Sequence, residues 1–480
     1  MVPQVNSMKP NELVSELFQV VGKEGVLWQR DDLLLYTYDG LSTVGEPDAV
    51  VFPTTTEQVV KIVKLAARRG VPVVARGAGT GLSGGSIAVH GGIVIGFSRM
   101  NKILEIDVEN ACARVQPGVV NLDISVAVAD AGYYFAPDPS SQKASTIGGN
   151  VAENAAGPHT LAYGVTVNHV LGLEVVLPDG RVVHTGARYP DRAGYDLTGL
   201  LVGSEGTLGI VTEVTVKLCR KPELTKTVLA IFDRIRDATQ TVVEITSQGI
   251  TPAALEMVDR FILRAIEEAT HAGYPLDAEA VLLIDVEGLA EEAEEHAQAV
   301  EAVCRANHAR EVRLAKSAEE RELLWKGRKG AFGAIGRLTP SFYVQDGVIP
   351  RTRLPEMLEF VDEVCKKYQV AVGNTFHAGD GNLHPNILYD SRSAEQTHRA
   401  KQAAHEIIAR CVELGGTITG EHGVGLEKVS LMPLLFSAHD LAAMRQVKHL
   451  FDPAELFNPG KVLPAEDPAE KRTDQVTVGG

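Results

Sequence analysis

The glycine-rich stretch RGAGTGLSGG, residues 76–85, restricts the possible folds of this chain more than any other segment. It contains a G-x-G-x-x-G after the strand-like run VPVVA, which is the pattern of a dinucleotide-binding βαβ unit. Such a unit requires a helix that opens on the third glycine. The residues that follow are instead rich in β-branched side chains and are broken by Gly91-Gly92 and by a turn signal at Glu109-Asn110. The sequence therefore predicts strand, turn and strand, and it excludes a Rossmann unit.

The glycines still need a physical explanation. The only helical pattern nearby, TTTEQVVKIVKLAARRG at residues 54–70, comes before the strand and not after the glycines. A loop of glycines leaves consecutive backbone N–H groups unobstructed, so it can bind a phosphate without a helix dipole. A flexible surface loop is the alternative that this segment alone leaves open.

Two further glycine-rich segments favour the ligand-binding interpretation. STIGGNVAENAAG covers residues 145–157, and GSEGTLGIVTEVTVKL covers residues 203–218 and runs into a strand pattern. Three such loops set among strands predict one extended ligand threaded between two small α+β subdomains.

Composition narrows the class of protein. A chain of 480 residues exceeds one hydrophobic core, so two to four domains are expected. The formal charge is −16 and no polybasic run occurs, which argues against nucleic acid or an anionic membrane as a partner. The 5 cysteines are scattered, which indicates neither a disulfide framework nor an iron–sulfur centre. With no signal-peptide pattern and no apolar run of about 18 residues, a cytoplasmic protein without a membrane span is expected.

The strongest local signal for chemistry is GNTFHAGDGNLHPNILYD, residues 373–390. Two apolar runs flank Gly-Asp-Gly-Asn, which predicts a hairpin whose turn lies between His377 and His384, so that the two imidazoles could face each other. Further on, GGTITGEHGVG places Glu421 and His422 between glycines. Two histidines and one carboxylate suit a divalent transition metal in a catalytic role. Turn-stabilising hydrogen bonds or a surface loop remain possible for each cluster taken alone.

The three glycine-rich segments at residues 76–85, 145–157 and 203–218, in this order and at these separations, resemble the FAD-binding domain of the vanillyl-alcohol oxidase (PCMH-type) flavoproteins. More narrowly, the chain resembles the group of glycolate oxidase catalytic subunits, D-lactate dehydrogenases and D-2-hydroxyglutarate dehydrogenases over residues 45–464. The expected fold class is α+β: a PCMH-type FAD-binding domain of two α+β subdomains, an α/β cap of mostly antiparallel sheet, and a short helical C-terminal segment. The expected division is 1–45 (N-terminal helical segment), 46–220 (FAD domain), 221–410 (cap or substrate domain), 411–464 (segment completing the active site) and 465–480 (flexible tail).

The resemblance implies an FAD site. Family members that bond FAD covalently often have a histidine roughly where Thr80 and Gly81 stand, so non-covalent FAD is expected. The pyrophosphate loop would be Arg76, Gly77, Ala78, Gly79, Thr80, Gly81 and Leu82, with Ser83, Gly84 and Gly85 completing the turn. The flavin and phosphates would be lined by Pro137, Asp138, Ser145, Thr146, Gly148, Asn150 and Gly157, the adenine or ribitol side by Gly209, Ile210 and Val211, and Asn458 and Lys461 would return towards the flavin.

The resemblance also implies a reaction, the oxidation of a small D-2-hydroxy acid. His377, His384 and Glu421 would hold the metal (Zn, Mn or Fe), and His422 would be the catalytic base. Asn386 would contact the substrate, and Arg328 in WKGRKGAF would bind its carboxylate as a planar fork. Phe332 and Val344 align with positions that bind a second carboxylate in the D-2-hydroxyglutarate branch, so a monocarboxylate such as D-lactate or glycolate is favoured.

Two other functions are compatible with the same fold. One is an FAD-binding partner subunit of a glycolate oxidase complex without its own substrate chemistry, but such a subunit would lack the histidine and glutamate set. The other is an alkyl-dihydroxyacetone-phosphate synthase-like enzyme, which would need a dense histidine run that this sequence lacks. For the dehydrogenase we expect an external electron acceptor (a protein, a quinone or similar), glycolate oxidase subunits as partners, and a homo-oligomer.

Overall fold

The structure is a computed structural model that describes residues 11–41, 43–189 and 193–465. Residues 1–10 of the predicted N-terminal segment and 466–480 of the predicted tail lie outside the described residues. The strands β1 to β20 are Val26–Leu27, Ala49–Val51, Val73–Arg76, Ile93–Gly96, Ile103–Asp107, Cys112–Val115, Tyr133–Tyr134, Val170–Val176, Val182–Gly186, Ile210–Lys217, Cys219–Arg220, Leu224–Phe232, Ala254–Asp259, Ala280–Gly288, Glu311–Leu314, Ser341–Val344, Gly347–Val348, Ala371–His377, Asn382–Leu383 and Pro385–Tyr389. The helices α1 to α16 are Glu12–Val21, Arg30–Leu33, Thr56–Arg69, Asn121–Val128, Ile147–Glu153, Thr160–Tyr163, Leu197–Leu201, Ile235–Ser247, Arg260–Thr270, Ala290–Ala306, Ala318–Lys329, Ala331–Ile335, Leu354–Tyr368, Ala394–Glu413, Met432–Leu435 and Ala438–Phe451.

The first subdomain is a small sheet in the order β1-β2-β4-β3, in which β2, β4 and β3 run parallel. Helix α3 begins after Thr55, whose hydroxyl accepts the Gln58 amide, and ends at Gly70 in the left-handed conformation. Its apolar face, with Ile62 and Val63, packs with α1 on this sheet. The helix predicted from the sequence is therefore present, and it precedes β3.

The second subdomain confirms the strand–turn–strand prediction. No helix occurs among residues 77–92, all of which are described, and the chain passes directly to β4 and then to β5 and β6. An antiparallel sheet in the order β5-β6-β10-β8-β9 follows. The glycine-rich segment 145–157 is not a loop as predicted, since Ile147–Glu153 forms α5 after the Thr146 cap, while residues 203–209 lead into β10. The exclusion of a Rossmann unit is confirmed.

The cap is an antiparallel sheet that carries helices on both faces. Its main path is β15-β12-β14-β13-β18-β19-β17, and β20 joins β18 to β16. Alternation along β12 divides the core: Val228 and Ala230 face α8, α10, α13 and α14, while Leu229 and Ile231 face α9, α11 and α12. Both faces are apolar because both are covered, which is why the strand reads as one continuous apolar run.

The register of the cap sheet brings polar residues of neighbouring strands together at the end of β18. His377, the last residue of β18, pairs across the ladder with Glu256 of β13 on one side and with Asn382 of β19 on the other. The hairpin was predicted, but His384 is not directly opposite His377, since it follows β19 at a break before β20. The break lets the His384 ring turn towards His377, and the two ring centroids lie 5.1 Å apart in an edge-on arrangement.

The C-terminal segment returns from the cap to the first subdomain. After α16, Phe457 forms an isolated parallel bridge with Val73 of β3 and is fully buried in the core of that subdomain. The Asn458 amide donates to the Val73 carbonyl oxygen at 2.9 Å. The C-terminal segment thus packs against β3, the edge strand of the first sheet.

Candidate flavin and metal site

The loop after β3 is built to receive an anion. Among the described residues, none accepts a hydrogen bond from the backbone amides of residues 78–85. Gly79 and Gly84 have φ of 70° and 81°, a conformation that glycine adopts without strain. A run of free amides in such a loop forms a concave anion site, and polar backbone groups of this kind require a partner. The loop therefore fits the pyrophosphate of FAD.

The second glycine-rich segment lies directly against the first. A Cβ on Gly77 would stand 2.2 Å from the Thr146 hydroxyl, which caps α5 through the Gly149 amide. A Cβ on Gly148 would stand 2.6 Å from Pro117, and one on Gly157 would stand 2.5 Å from the Asp138 carbonyl oxygen. These glycines are required because the loops approach each other too closely for any side chain.

Of four other predicted cofactor residues, Asn150 lies in the second glycine-rich segment, and the rest lie in or against the apolar cores of the two subdomains. Asn150 is buried, accepting from Asn121 and pointing its amide at Ser145. Ile210 belongs to the apolar core around α3, so its side chain is engaged in packing. Val211 is partly buried against the core of the second subdomain, and a Cβ on Gly209 would stand 2.4 Å from the Val175 side chain.

Arg76 and Asp138 are anchored by protein partners. The Arg76 guanidinium lies 5.6 Å from the Tyr36 ring and donates to Ser86, and burial lowers its pKa. Asp138 pairs with His159 at 2.9 Å and with Lys329 of the cap at 2.7 Å. It therefore joins the FAD domain to the cap in addition to its predicted place beside the flavin.

The C-terminal segment is tied to the glycine loop. Asn458 donates to the carbonyl oxygens of Gly85 and Glu205 at 2.9 and 2.7 Å. Lys461 donates to those of Gly85 and Ile87 at 2.8 and 2.7 Å, and burial lowers the pKa of its ammonium to about 8. The predicted return of Asn458 and Lys461 thus brings them to the loop itself.

The predicted metal ligands converge on one carboxylate oxygen. His377 Nε2 lies 3.2 Å and His384 Nε2 lies 3.0 Å from Glu421 Oε1. One ligand atom from each of the three residues lies within 4.8 Å of the others. Two imidazoles and a carboxylate are a suitable set for a divalent transition metal with open coordination positions.

The opposite ring nitrogens are held in place. His377 Nδ1 lies 2.7 Å from Glu256 Oε1, and His384 Nδ1 lies 3.1 Å from the Gln345 carbonyl oxygen, to which only an N–H can bond. Burial disfavours the imidazolium of His377, but Glu256 and Glu421 flank it and raise its pKa well above the ordinary value. Glu421 thus requires a positive charge beside it, and a divalent cation held by the three residues would supply that charge in place of the protons.

His422 stands beside this set with one nitrogen unpaired. Its ring stacks on that of His384, with centroids 5.0 Å apart and planes 6° apart. His422 Nε2 lies 3.8 Å from Glu421 Oε1, and the buried Nδ1 has no hydrogen-bond partner. Burial lowers the pKa of His422 to about 4, so the ring is neutral near pH 7.

Two residues that the sequence reasoning missed fix the loop of Glu421 and His422. Asp346, fully buried, accepts the Gly420 and His422 amides at 3.0 and 2.9 Å. Lys428 donates to Asp346 at 3.0 Å. Although burial opposes the ammonium, Asp346 raises the pKa of Lys428. A carboxylate in the apolar context YVQDGV was the available signal, since a buried acid requires partners.

Glu256 was also missed, and it connects Arg328 to the metal cluster. Arg328 Nη2 lies 2.5 Å from Glu256 Oε2, and both side chains are buried. Arg328 is therefore not a solvent-exposed helix residue. The signal was the acid in ALEMVD, at a position that strand alternation turns into the protein. Asn386 is fully buried nearby on β20, donates to Gly373 and His384 carbonyl oxygens, and leaves Oδ1 without a partner.

The fold and its glycine-rich segments are those of a flavin-dependent oxidoreductase. The family described as FAD binding domain matches residues 47–186, and the family described as FAD linked oxidases, C-terminal domain, matches residues 221–462. The chain belongs to the FAD-linked oxidases, and it is an FAD-dependent oxidoreductase. The expected fold class is confirmed.

Known proteins match over nearly the whole length. The chain is 46% identical to glycolate oxidase subunit GlcD of Escherichia coli over 92% of its own length and 88% of that protein. It is 33% identical to D-lactate dehydrogenase of Anaerostipes hadrus, covering 96% and 98%. The solved structure of p-cresol methylhydroxylase with substrate bound shares the fold, with a TM-score of 0.82 at 19% identity over 94% and 96% of the two chains. No helix of the described residues is long and apolar enough to cross a membrane.

Proposed function

We propose that this enzyme oxidises a small D-2-hydroxy acid, D-lactate or glycolate, to the 2-oxo acid, using FAD and a divalent metal. The observation that carries the proposal is the convergence of His377, His384 and Glu421 beside a neutral, buried His422. The names of the relatives support it, since a glycolate oxidase subunit and a D-lactate dehydrogenase act on acids of this class.

His377, His384 and Glu421 would hold the metal, with Glu256 and the Gln345 carbonyl fixing the two rings. Zn, Mn or Fe would suit the donor set. When bound, the metal would supply acidification of a coordinated hydroxyl, and FAD would supply N5 as the acceptor of the C2 hydride.

His422 would accept the hydroxyl proton. Its Nε2 faces the same side as the ligand atoms, 3.8 Å from Glu421 Oε1, and its low pKa keeps it unprotonated near pH 7. A base this weak would take the proton only from a hydroxyl that the metal has acidified. Asp346 would hold the His422 backbone in place through the amide hydrogen bond.

Arg328 would bind the substrate carboxylate, and Asn386 would contact the substrate. Arg328 is buried and its Nη2 pairs with Glu256 Oε2 at 2.5 Å, while its Nε lacks a hydrogen-bond partner. Asn386 offers a free Oδ1 in the same buried region. Unmet hydrogen-bonding capacity of this kind at a buried site is what a polar ligand would satisfy.

Apolar residues would limit the substrate to one carboxylate. Val344 is buried and pairs across the ladder with Asn386. The Phe332 ring stacks on Phe342. A second carboxylate placed against such side chains would lose its hydration without gaining a partner, and this desolvation costs several kcal/mol. A monocarboxylate is therefore favoured, and electrons would leave to an external acceptor such as a partner protein, a quinone or other glycolate oxidase subunits.

The test is anaerobic bleaching of the flavin by D-lactate, L-lactate, glycolate and D-2-hydroxyglutarate, before and after treatment with a chelator. We expect rapid bleaching by D-lactate or glycolate, weak bleaching by D-2-hydroxyglutarate, and loss of bleaching after chelation that added metal restores. A flavin that none of the four acids reduces would overturn the proposal, and bleaching unaffected by metal removal would overturn its metal-assisted part.

A further inference from the structure

The two stacked rings of His384 and His422 lie between two carboxylates. Their Nε2 atoms lie near Glu421, 3.0 and 3.8 Å from Oε1. Their Nδ1 atoms lie near Asp346, each 4.0 Å from one of its oxygens. The cluster therefore has two ends, each with two imidazole nitrogens near a carboxylate. At the second end only His422 Nδ1 is free, since His384 Nδ1 carries the proton that it donates to the Gln345 carbonyl oxygen, and an ion there would have to displace that proton.

The second end has the geometry of another metal site. One ligand atom each from Asp346, His384 and His422 lies within 4.8 Å of the others, as in the His377, His384 and Glu421 set. Ligands about 2.0–2.2 Å from a metal stand at separations compatible with this spacing. His422 Nδ1 is buried, unpartnered and directed to this end.

An ammonium group already occupies the second end. Lys428 Nζ donates to Asp346 Oδ2 at 3.0 Å, to the Thr419 hydroxyl at 3.2 Å and to the Gly423 carbonyl oxygen at 3.3 Å. These three acceptors match its three N–H donors, so the ammonium is fixed in place. The Lys428 side chain is 1% exposed and that of Asp346 is fully buried, so solvent screens little of their interaction.

We propose that Lys428 is a fixed internal cation that prevents a divalent metal from binding to Asp346, His384 and His422. It thereby confines the metal to His377, His384 and Glu421 and leaves His422 free to accept a proton. Charge decides this selectivity, because a dication beside the ammonium would be repelled in a buried environment. The inference rests on the proposed function, since it assumes that the first set binds a metal.

The experiment compares metal stoichiometry in four purified proteins with FAD bound: the unaltered enzyme, K428M, the double variant D346N/K428M, and H377A. Each is equilibrated with excess Co²⁺ and freed of weakly bound ions, and cobalt per chain is measured by elemental analysis together with the visible absorption of the bound ion. K428M removes the charge at similar side-chain length, and the double variant removes the carboxylate as well.

We expect one cobalt per chain in the unaltered enzyme and about two in K428M, because the uncompensated Asp346 carboxylate then binds a second ion. The double variant should bind no more than one, since it lacks the second carboxylate and also weakens the acceptor that fixes the loop of Glu421. Excess Co²⁺ should inhibit K428M, through capture of His422, and should leave the unaltered enzyme unaffected. A merely structural role of Lys428 would lower folding stability without adding a metal or a new absorption band.

The outcomes separate the inference from the function on which it rests. One cobalt in both the unaltered enzyme and K428M would overturn the inference and leave the proposed function standing. No cobalt in the unaltered enzyme, or full retention in H377A, would overturn the metal-assisted function itself. If K428M does not fold, K428Q keeps a donor to Asp346 without the charge and carries the same expectation.

Discussion

The proposed flavin loops and the histidine cluster would hold their ligands by opposite means. Around Gly77 and Gly148 the space depends on missing side chains, and the binding groups are backbone amides. In the cluster the binding groups are side chains, and each is held by a further buried side chain or carbonyl. The first region is therefore sensitive to added atoms, and the second is sensitive to lost charge or lost anchors. A substitution that weakens FAD binding should therefore leave metal binding unchanged, and the reverse should also hold.

The largest effect should follow from Glu421→Gln, which removes the ligand charge at the centre of the cluster. We expect kcat/KM with D-lactate or glycolate to fall by about 10³-fold or more and metal content to drop, with FAD content unchanged. Elemental analysis, flavin absorbance and rapid anaerobic reduction measure the three quantities. Glu427→Gln is the matched control, because this buried carboxylate is outside the ligand set, 3.8 Å from Lys428 Nζ. Retained metal in Glu421→Gln would contradict the expectation.

A smaller loss should follow from Glu256→Gln, which tests the anchor and not the ligand. The amide can still accept from His377 Nδ1, but it no longer neutralises Arg328. Metal affinity should fall by about 10–100-fold, as is typical when the partner of a ligating histidine is altered. A competitive chelator titration measures the affinity. Glu287→Gln, on β14 and bonded to Tyr163, should have no effect on it.

Gly77→Ala should produce the reverse pattern. The added methyl group would stand 2.2 Å from the Thr146 hydroxyl and displace the cap of α5. We expect the Kd for FAD to rise about tenfold or more, equivalent to about 1.4 kcal/mol, while metal content is preserved. Fluorescence titration of the apoprotein with FAD measures this. Gly333→Ala is the control, because a Cβ there meets nothing within 4 Å. Joint loss of metal and FAD would show that the two regions are not independent.

The last prediction concerns the contact between the regions, Asp138 with Lys329 and His159, and its readout is folding stability. His159 and Lys329 lower the pKa of Asp138 despite its burial, and Asp138 raises that of His159 against the effect of burial. Stability from the carboxylate is present above its unfolded pKa of about 3.9, and stability from the imidazolium is present below about 6.5. Asp138→Asn should therefore cost about 1–3 kcal/mol, most between about pH 4 and 6.5, where both groups contribute in full.

Chemical denaturation of the variant and the unaltered enzyme across that pH range provides the measurement. As pH falls through the lowered pKa of Asp138, or rises through the raised pKa of His159, the difference in unfolding free energy should shrink. A difference that is constant with pH would mean that the pair is not charged in the folded protein.

The sequence by itself determined the elements and their order. The Thr55 cap and the Gly70 stop defined α3, the absence of a helix after residue 85 excluded a Rossmann unit, and the glycine-rich turn after His377 defined the β18–β19 hairpin. These features depend on interactions between residues close in the chain, so their signals can be read from short segments. The proposed metal ligands were identified from residue types grouped in two short motifs together with the resemblance to the family.

The tertiary structure decided which side chains serve the cluster. Glu256 and His377 are 121 residues apart, and Asp346 and Lys428 are 82 apart. The hairpin did not put His384 directly opposite His377 either, because a break after β19 reoriented it. Partners brought together by strand register across a nine-stranded sheet leave no local pattern in the sequence. Glu256 and Asp346 were visible in the sequence as acids among apolar residues. Only the packing of the sheet against the C-terminal segment determined which groups they hold.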